Sequence, residues 1–301
     1  MEIKGMKILI AGASGLVGSA LVPKLKAEGA QVTPLVRSAA KSGEIEWHPN
    51  HQTIDAPSLE GSDAVINLAG EGIANGRWTE EKKRRILDSR VNGTRLLSET
   101  MASLSRKPAT FINASAVGFY GSRGDELVDE ESGPGEGFLA GVCRQWESAT
   151  ARAEQAGIRV VKLRFGVILA KDGGIMGSML GPFKLGLGGK IGSGEQVISW
   201  VAIDDVVAAI SFILQNESVR GPVNVVAPQP VTNKEFTKTL GRVLSRPTFM
   251  TMPAFAARLV FGEMADEMML SSTRVAPKVL NDAGFRFQYP ELEGAVRTIL
   301  G

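Results

Sequence analysis

Residues 7–18 read Lys-Ile-Leu-Ile-Ala-Gly-Ala-Ser-Gly-Leu-Val-Gly, an apolar strand running into a glycine-rich turn that opens a helix. Gly12 lets the chain turn sharply, Gly15 lets backbone N–H groups approach a pyrophosphate, and Gly18 lets the helix pack closely on its strand. Context gives the pattern its weight: a strand precedes it, and Ala20, Leu21 and Leu25 follow at helical spacing. Gly12, Ser14, Gly15, Leu16 and Val17 are therefore the expected cofactor-facing residues of a dinucleotide-binding turn. A structural tight turn would use the same glycines without a ligand.

Outward from this turn, strand-like runs recur at residues 31–36, 64–68, 109–113 and 159–163, most of them separated by helical stretches. They are short and rich in Val, Ile, Leu and Phe, as strands buried on both faces require. The fold class expected is α/β, a Rossmann doubly wound parallel sheet with a smaller C-terminal substrate lobe. Residues 1–165 form the dinucleotide-binding domain, and 166–301 form mainly the substrate lobe, with some segments returning to the core. Pro23 interrupts the first helix and should kink it. Thr79 caps a long helix that ends before Pro108, and a second spans 138–156 with Gly157 as its C-terminal cap. Further helices are expected at 233–244 and 254–261. Glycines crowd residues 173–194, which read as a loop-rich segment: either a lid over the cofactor or ordinary turns.

Composition narrows the partners. Lys and Arg number 34 against 32 for Asp and Glu, a net charge of +2 that gives no reason to expect nucleic acid or an anionic membrane. A small-molecule substrate is the expected partner. The basic run Lys82-Lys83-Arg84-Arg85 follows Glu80 and Glu81, so Glu80–Arg84 and Glu81–Arg85 pairs would make it a solvated helix face. Cys143 is the single cysteine, which excludes an intrachain disulfide. His48 and His51 are the only histidines; they flank Pro49 in an expected loop with no further ligands nearby, so no metal is expected. Residues 6–22 could pass for a signal peptide, but the glycines fit a nucleotide turn better. No run reaches the ~20 apolar residues of a membrane helix, so a soluble, cytoplasmic protein is expected.

Several residues carry chemistry. Where an NAD site places a carboxylate for the ribose hydroxyls, the second strand ends Leu35-Val36-Arg37-Ser38. Arg37 can form charge-assisted bonds to a ribose phosphate and Ser38 adds a donor, which points to NADP. A solvated arginine would leave the cofactor open. Leu68, Ala69 and Gly70 close the next core strand with small residues where backbone would approach a ribose or ring, a pattern that an ordinary strand-end turn would share. Ser115 lies at the carboxyl edge, where open α/β sheets collect their active sites.

Taken together, Gly12 to Gly18, Asn67 to Gly70, Val91-Asn-Gly-Thr94, Ser115 with Phe119-Tyr120-Gly121, Arg164, and Trp200-Val-Ala-Ile-Asp-Asp205 resemble the extended short-chain dehydrogenase/reductase family. The branch is the NAD-dependent epimerase/dehydratase one. Pro182 to Gly189, Ile191 to Gly194 and Trp146-Glu147 are similar to its atypical YfcH-type epimerase subgroup. The resemblance implies cofactor contacts from Arg90 and through the backbone at Val167, and a homodimer pairing through the two long helices. It also implies a tyrosine and a lysine four residues apart after the serine, where the ammonium readies the phenol for proton exchange. No such pair exists here: alignment on Glu147 puts Leu139 at the tyrosine position and Cys143 at the lysine position.

Ser115 and Tyr120 are the remaining catalytic candidates, although Tyr120 also reads as an aromatic residue packing a strand end. Cys143 reads as a small buried hydrophobe or a thiol, and Glu147 as a desolvated acid or a surface partner of Arg144 or Arg152. Ala202 stands where relatives often carry histidine, and Asp204 or Asp205 reads as a helix cap. The expected function is an NADP(H)-binding oxidoreductase or epimerase-like enzyme on a small carbonyl or alcohol. The alternatives are a catalytically silent NADPH sensor and a scaffold that binds no nucleotide.

Overall fold

A computed structural model describes residues 2–74, 76–171 and 173–301. Its centre is an eight-stranded sheet in the order Gly221–Val225, Arg159–Phe165, Thr110–Ala116, Ala64–Asn67, Lys7–Ala11, Gln31–Val36, Ile45–His48, Thr53–Ile54. All neighbours pair in parallel except the last two strands. Strand order reverses direction between Lys7–Ala11 and Ala64–Asn67, which opens a crevice beyond their carboxyl ends.

The alternation along the first strand shows why the sheet is covered on both sides. Ile8 and Ile10 join one core with Leu21 and Leu25 of the Leu16–Ala27 helix and Val206 and Ile210 of the Ile203–Gln215 helix. Leu9 and Ala11 face the other way, to Trp47 and to Leu97 and Met101 of the Glu80–Ser103 helix. Each fully buried Leu or Ile of this kind contributes roughly 1.5–3 kcal/mol. The Leu16–Ala27 helix continues through Pro23.

Thr79 caps its helix by accepting the Lys82 N–H at 3.2 Å. Arg85 meets Glu81 at 2.8 Å as expected, but Glu80 pairs with Lys83 at 3.1 Å instead of Arg84. The helix expected over 138–156 is two helices, Phe138–Ser148 and Ala151–Gln155, and Gly157 takes φ +82° at its end. Ile45–His48 is a strand, not a loop, and its Trp47 packs against Gly93.

The glycine-crowded segment is more regular than its composition indicated. It holds the Gly174–Lys184 helix and the strand Gly189–Ile191, which pairs in parallel with Met250–Met252. This C-terminal lobe has its own core, built from Met176, Phe183, Trp200, Phe236, Leu240, Leu292 and Ile299. Among the described residues no helix is long and apolar enough to cross a membrane.

Candidate dinucleotide crevice and buried polar chain

The glycine turn lies at the switch point. Gly12 has φ +81°, and a Cβ there would sit 2.7 Å from the carbonyl carbon of Leu68 and 2.8 Å from the nitrogen of Ala69. The turn and the end of the neighbouring strand are thus in backbone contact, and no other residue fits. A Cβ on Gly18 would strike the Gly12 carbonyl oxygen, so the helix start is held against the turn. Gly15 is the N-cap and provides no side-chain bond, and the first turn carries no acidic residue. The N–H groups that follow, at Leu16 and Val17, lie at the positive end of the helix dipole, where an anion is favoured. Ser14 and Gly15 are exposed beside them.

Arg37 and Ser38 are exposed at the end of the next strand. Glu71 faces this corner. Its carboxyl is held below the ordinary range by the Lys82 ammonium at 2.7 Å, with further contributions from Arg85 and Arg37. Arg90 reaches the same loop: Nη1 donates to the carbonyls of Glu71 and Ile86 at 3.0 Å, and the guanidinium lies 5.1 Å over the Trp146 ring. It also stands 3.3 Å from where a Gly70 Cβ would be. Burial lowers the Arg90 pKa from its ordinary value. Val167 begins a short strand that pairs in parallel with Trp200–Ala202.

Next to the crevice runs a buried polar chain. Ser115, 2% exposed at the end of its strand, donates Oγ to Glu147 Oε1 at 2.7 Å. Arg164 grips the same carboxylate with two bonds, Nε at 2.8 Å and Nη2 at 2.9 Å. Its remaining arm donates to the Tyr120 hydroxyl at 2.9 Å, and Tyr120 donates to Asn224 Oδ1 at 2.7 Å. Asn224 passes the chain on to the carbonyl of Ala276 at 2.9 Å. The Arg164 guanidinium also lies 3.5 Å over the Phe119 ring.

Burial opposes charge on Arg164, yet the bonds to Glu147 outweigh it and its pKa is raised. Burial likewise pushes the Tyr120 phenol up to about 12, against the pull of Arg164 and Asn224.

The two hydroxyls read from the sequence as catalytic candidates do not bond to each other. Ser115 faces Glu147, Tyr120 faces Asn224, and Arg164 stands between them. Glu147 is not a surface residue paired with Arg144 or Arg152; it is buried on Arg164. Cys143 is buried against Ser115 and the backbone of Ala116, and desolvation pushes its thiol up to about 11. Leu139 lies over Gly118, its Cβ 3.4 Å from where a Cβ on that glycine would stand.

Asp205 does not cap its helix. It accepts the backbone N–H groups of Gln288 and Tyr289 at 2.7 and 3.0 Å and ties down the C-terminal segment. His48 pairs with Glu46 at 2.7 Å, and among the described residues no acidic, histidine or cysteine cluster could hold a metal. Sequence reasoning missed Asn224 and Glu130 altogether. Asn224 sits in a strand whose apolar pattern is broken by Pro222, and Glu130 in a polar loop.

A doubly wound sheet with an uncapped helix end and a basic strand end at its switch point defines a dinucleotide-binding α/β protein. Comparison with known proteins sharpens this. The model of the NAD dependent epimerase/dehydratase family matches residues 8–227, and a domain of unknown function matches 252–299. The epimerase family protein Mb2239 of Mycobacterium bovis is 45% identical over 94% of this chain and 93% of its own. The crystal structure of human epimerase family protein SDR39U1 (isoform 2) with NADPH superposes with a TM-score of 0.91 at 35% identity, covering 98% of this chain and 99% of that one. A nucleoside-diphosphate sugar epimerase from Corynebacterium glutamicum gives 0.83 at 37% identity, over 99% of this chain and 59% of that one. The chain belongs to the NAD dependent epimerase/dehydratase family, among the SDR39U1-type epimerase family proteins.

Proposed function

We propose that the chain binds NADP(H) in the switch-point crevice and acts as an oxidoreductase or epimerase-like enzyme on a small carbonyl or alcohol. The observation that carries this reading is the Gly12 turn seated on the Leu68–Ala69 backbone beneath an uncapped helix end, with Arg37 at the neighbouring strand end. The first arrangement fits a pyrophosphate and the second a ribose phosphate. The human relative crystallised with NADPH supports the choice of cofactor. Bound there, the dinucleotide supplies a hydride donor or acceptor.

The chain's own contribution is proton handling. Ser115 commits its proton to Glu147, so towards a substrate hydroxyl its oxygen acts as an acceptor, beside the Cys143 thiol that also lies against it. Arg164 keeps the Glu147 carboxylate in place with two bonds, and Tyr120 steadies Arg164 from the far side. In this reading Ser115 touches the substrate, while Tyr120 positions Arg164. Leu139 offers no proton, so its half-buried side chain shapes the pocket and excludes water.

Fluorescence titration with NADPH and NADH tests the binding, and NADPH absorbance against a panel of aldehydes, ketones and sugars tests the chemistry. Tight NADPH binding with turnover of at least one carbonyl is expected. Absence of NADPH binding overturns the whole reading, and binding without turnover across the panel overturns the catalytic half.

A further inference from the structure

A second pocket of about 160 Å³ lies in the C-terminal lobe, lined by Lys190, Lys234, Thr237, Lys238, Thr248, Phe249, Met250 and Thr251. None of these residues belongs to the dinucleotide crevice. Its walls come from the Gly189–Ile191 and Met250–Met252 strands and the Asn233–Leu244 helix.

Glycines draw these walls together. A Cβ on Gly189 would strike the Met250 carbonyl, and one on Gly241 would strike Thr248. Gly194, at φ +80°, lies between the stems of Lys190 and Lys234, 2.9 and 3.1 Å from its Cβ position. Lys190 gives one donor to the Ser193 carbonyl at 2.9 Å, and Lys234 is 3.7 Å from the exposed Glu195 carboxylate.

Thr237 distinguishes this pocket from a solvated lysine face. It is 2% exposed, yet its buried Oγ1 has no hydrogen-bond partner. A helical threonine ordinarily satisfies its hydroxyl on the preceding turn, and an orphaned buried hydroxyl costs about 1–3 kcal/mol. Lys190, Lys234 and Lys238 line the same pocket as this unsatisfied hydroxyl, and ammonium and hydroxyl donors together suit the acceptor oxygens of a phosphate.

The rim has the opposite character. Phe249 is 77% exposed and Met250 is 46% exposed. Leu185 and Leu187 are also exposed, flanking Gly186, whose Cβ position lies 3.6 Å from the Pro247 ring. Apolar surface gathered beside a charged pocket marks a binding site for a molecule with both characters.

We propose that this pocket binds a phosphorylated amphiphile, with its phosphate among Lys190, Lys234, Lys238 and Thr237 and its apolar part on Phe249 and Met250. Calorimetric titration of the full chain with octyl phosphate at monomeric concentrations, inorganic phosphate and octanol tests it. Octyl phosphate is expected to bind more tightly than either of the others. Lys238→Glu, an exposed position, should weaken it at least tenfold. Thr237→Val should weaken it severalfold while the melting temperature holds or rises with loss of the orphaned hydroxyl, whereas a threonine without a ligand role would leave the affinity unchanged.

The proposal is overturned if octanol binds as well as octyl phosphate, or if Lys238→Glu leaves the affinity unchanged. It is also overturned if the protein sediments with phosphatidylglycerol vesicles but does not bind monomeric octyl phosphate, which would make the face a membrane contact instead of a pocket.

Discussion

Glu267 accepts the backbone N–H of Leu139 at 3.0 Å, and that of Phe138 at 2.9 Å with its other oxygen, from 128 residues further along the chain. The helix these groups open has Gly137 as its N-cap and no side-chain cap of its own. A residue of the C-terminal lobe therefore supplies the missing cap to the helix that carries Cys143 and Glu147. A carboxylate is well placed for this, since it satisfies two orphan donors and complements the dipole. Glu267→Ala should cost about 1–2 kcal/mol in a denaturant melt. Glu267→Gln should recover part of that loss.

Arg37→Asp should weaken NADPH binding by about ten- to a hundredfold, the worth of a charge-assisted bond of roughly 1.5–3 kcal/mol. NADH binding should change little or improve. Calorimetric titration of both cofactors against both proteins checks this, and an equal loss for both would show that Arg37 does not read the ribose phosphate.

Arg164→Met leaves the Glu147 carboxylate buried beside Ser115 without its partner and should destabilise the fold by about 3–5 kcal/mol. The double variant Arg164→Met/Glu147→Leu should recover most of that loss, because a buried pair replaced by apolar residues is often close to neutral. Urea unfolding of the parent, Arg164→Met, Glu147→Leu and the double variant gives the coupling directly.

Glu130 gives a pH signature. One oxygen accepts the backbone N–H of Asn224 at 2.9 Å and that of Val279 at 3.2 Å, while Oε2 is buried without a partner. Burial raises its pKa, against the pull of those N–H groups. The folded chain therefore holds this proton to higher pH than the unfolded chain does. Stability from this group is greatest below the ordinary carboxyl pKa and declines as pH rises through the raised folded value. Glu130→Gln should match the parent near pH 4 and exceed its melting temperature above pH 7. An equal difference at both pH values would show that ionisation of Glu130 is not the cause.

The parts of this protein that were legible in its sequence are those fixed by near neighbours. The strands at Lys7–Ala11 and Gln31–Val36 and the Asn233–Leu244 and Ala254–Phe261 helices follow from local hydrophobic period and punctuation. The glycine turn is legible for the same reason, since its meaning lies within a dozen residues. Ile45–His48 escaped because a histidine and Pro49 at its end resemble loop chemistry, and Gly221–Val225 because Pro222 and Asn224 break its apolar run.

The buried chain was out of reach for a different reason. Ser115 and Glu147 are 32 residues apart, Glu147 and Arg164 17, and Tyr120 and Asn224 104. No periodicity encodes which acid meets which base when a helix settles on a sheet. The glycines at 173–194 misled in the opposite direction, because Gly174, Gly177 and Gly181 lie within a helix and Gly189 permits a close strand approach to Met250.

Tyr120 reaches Asn224, and Asn224 reaches the carbonyl of Ala276, so the polar chain that begins at Ser115 ends in the stretch matched by the second family model. Together with the bond from Glu267 to Leu139, this makes the final fifty or so residues a structural component of the first domain. They are not a detachable appendage. A chain cut after Met250 would expose an uncapped helix and an Asn224 amide without its acceptor, and should melt less cooperatively than the whole. The two matched stretches thus share one set of contacts, and parting them would remove the Glu267 cap and the carbonyl that closes the polar chain beyond Asn224.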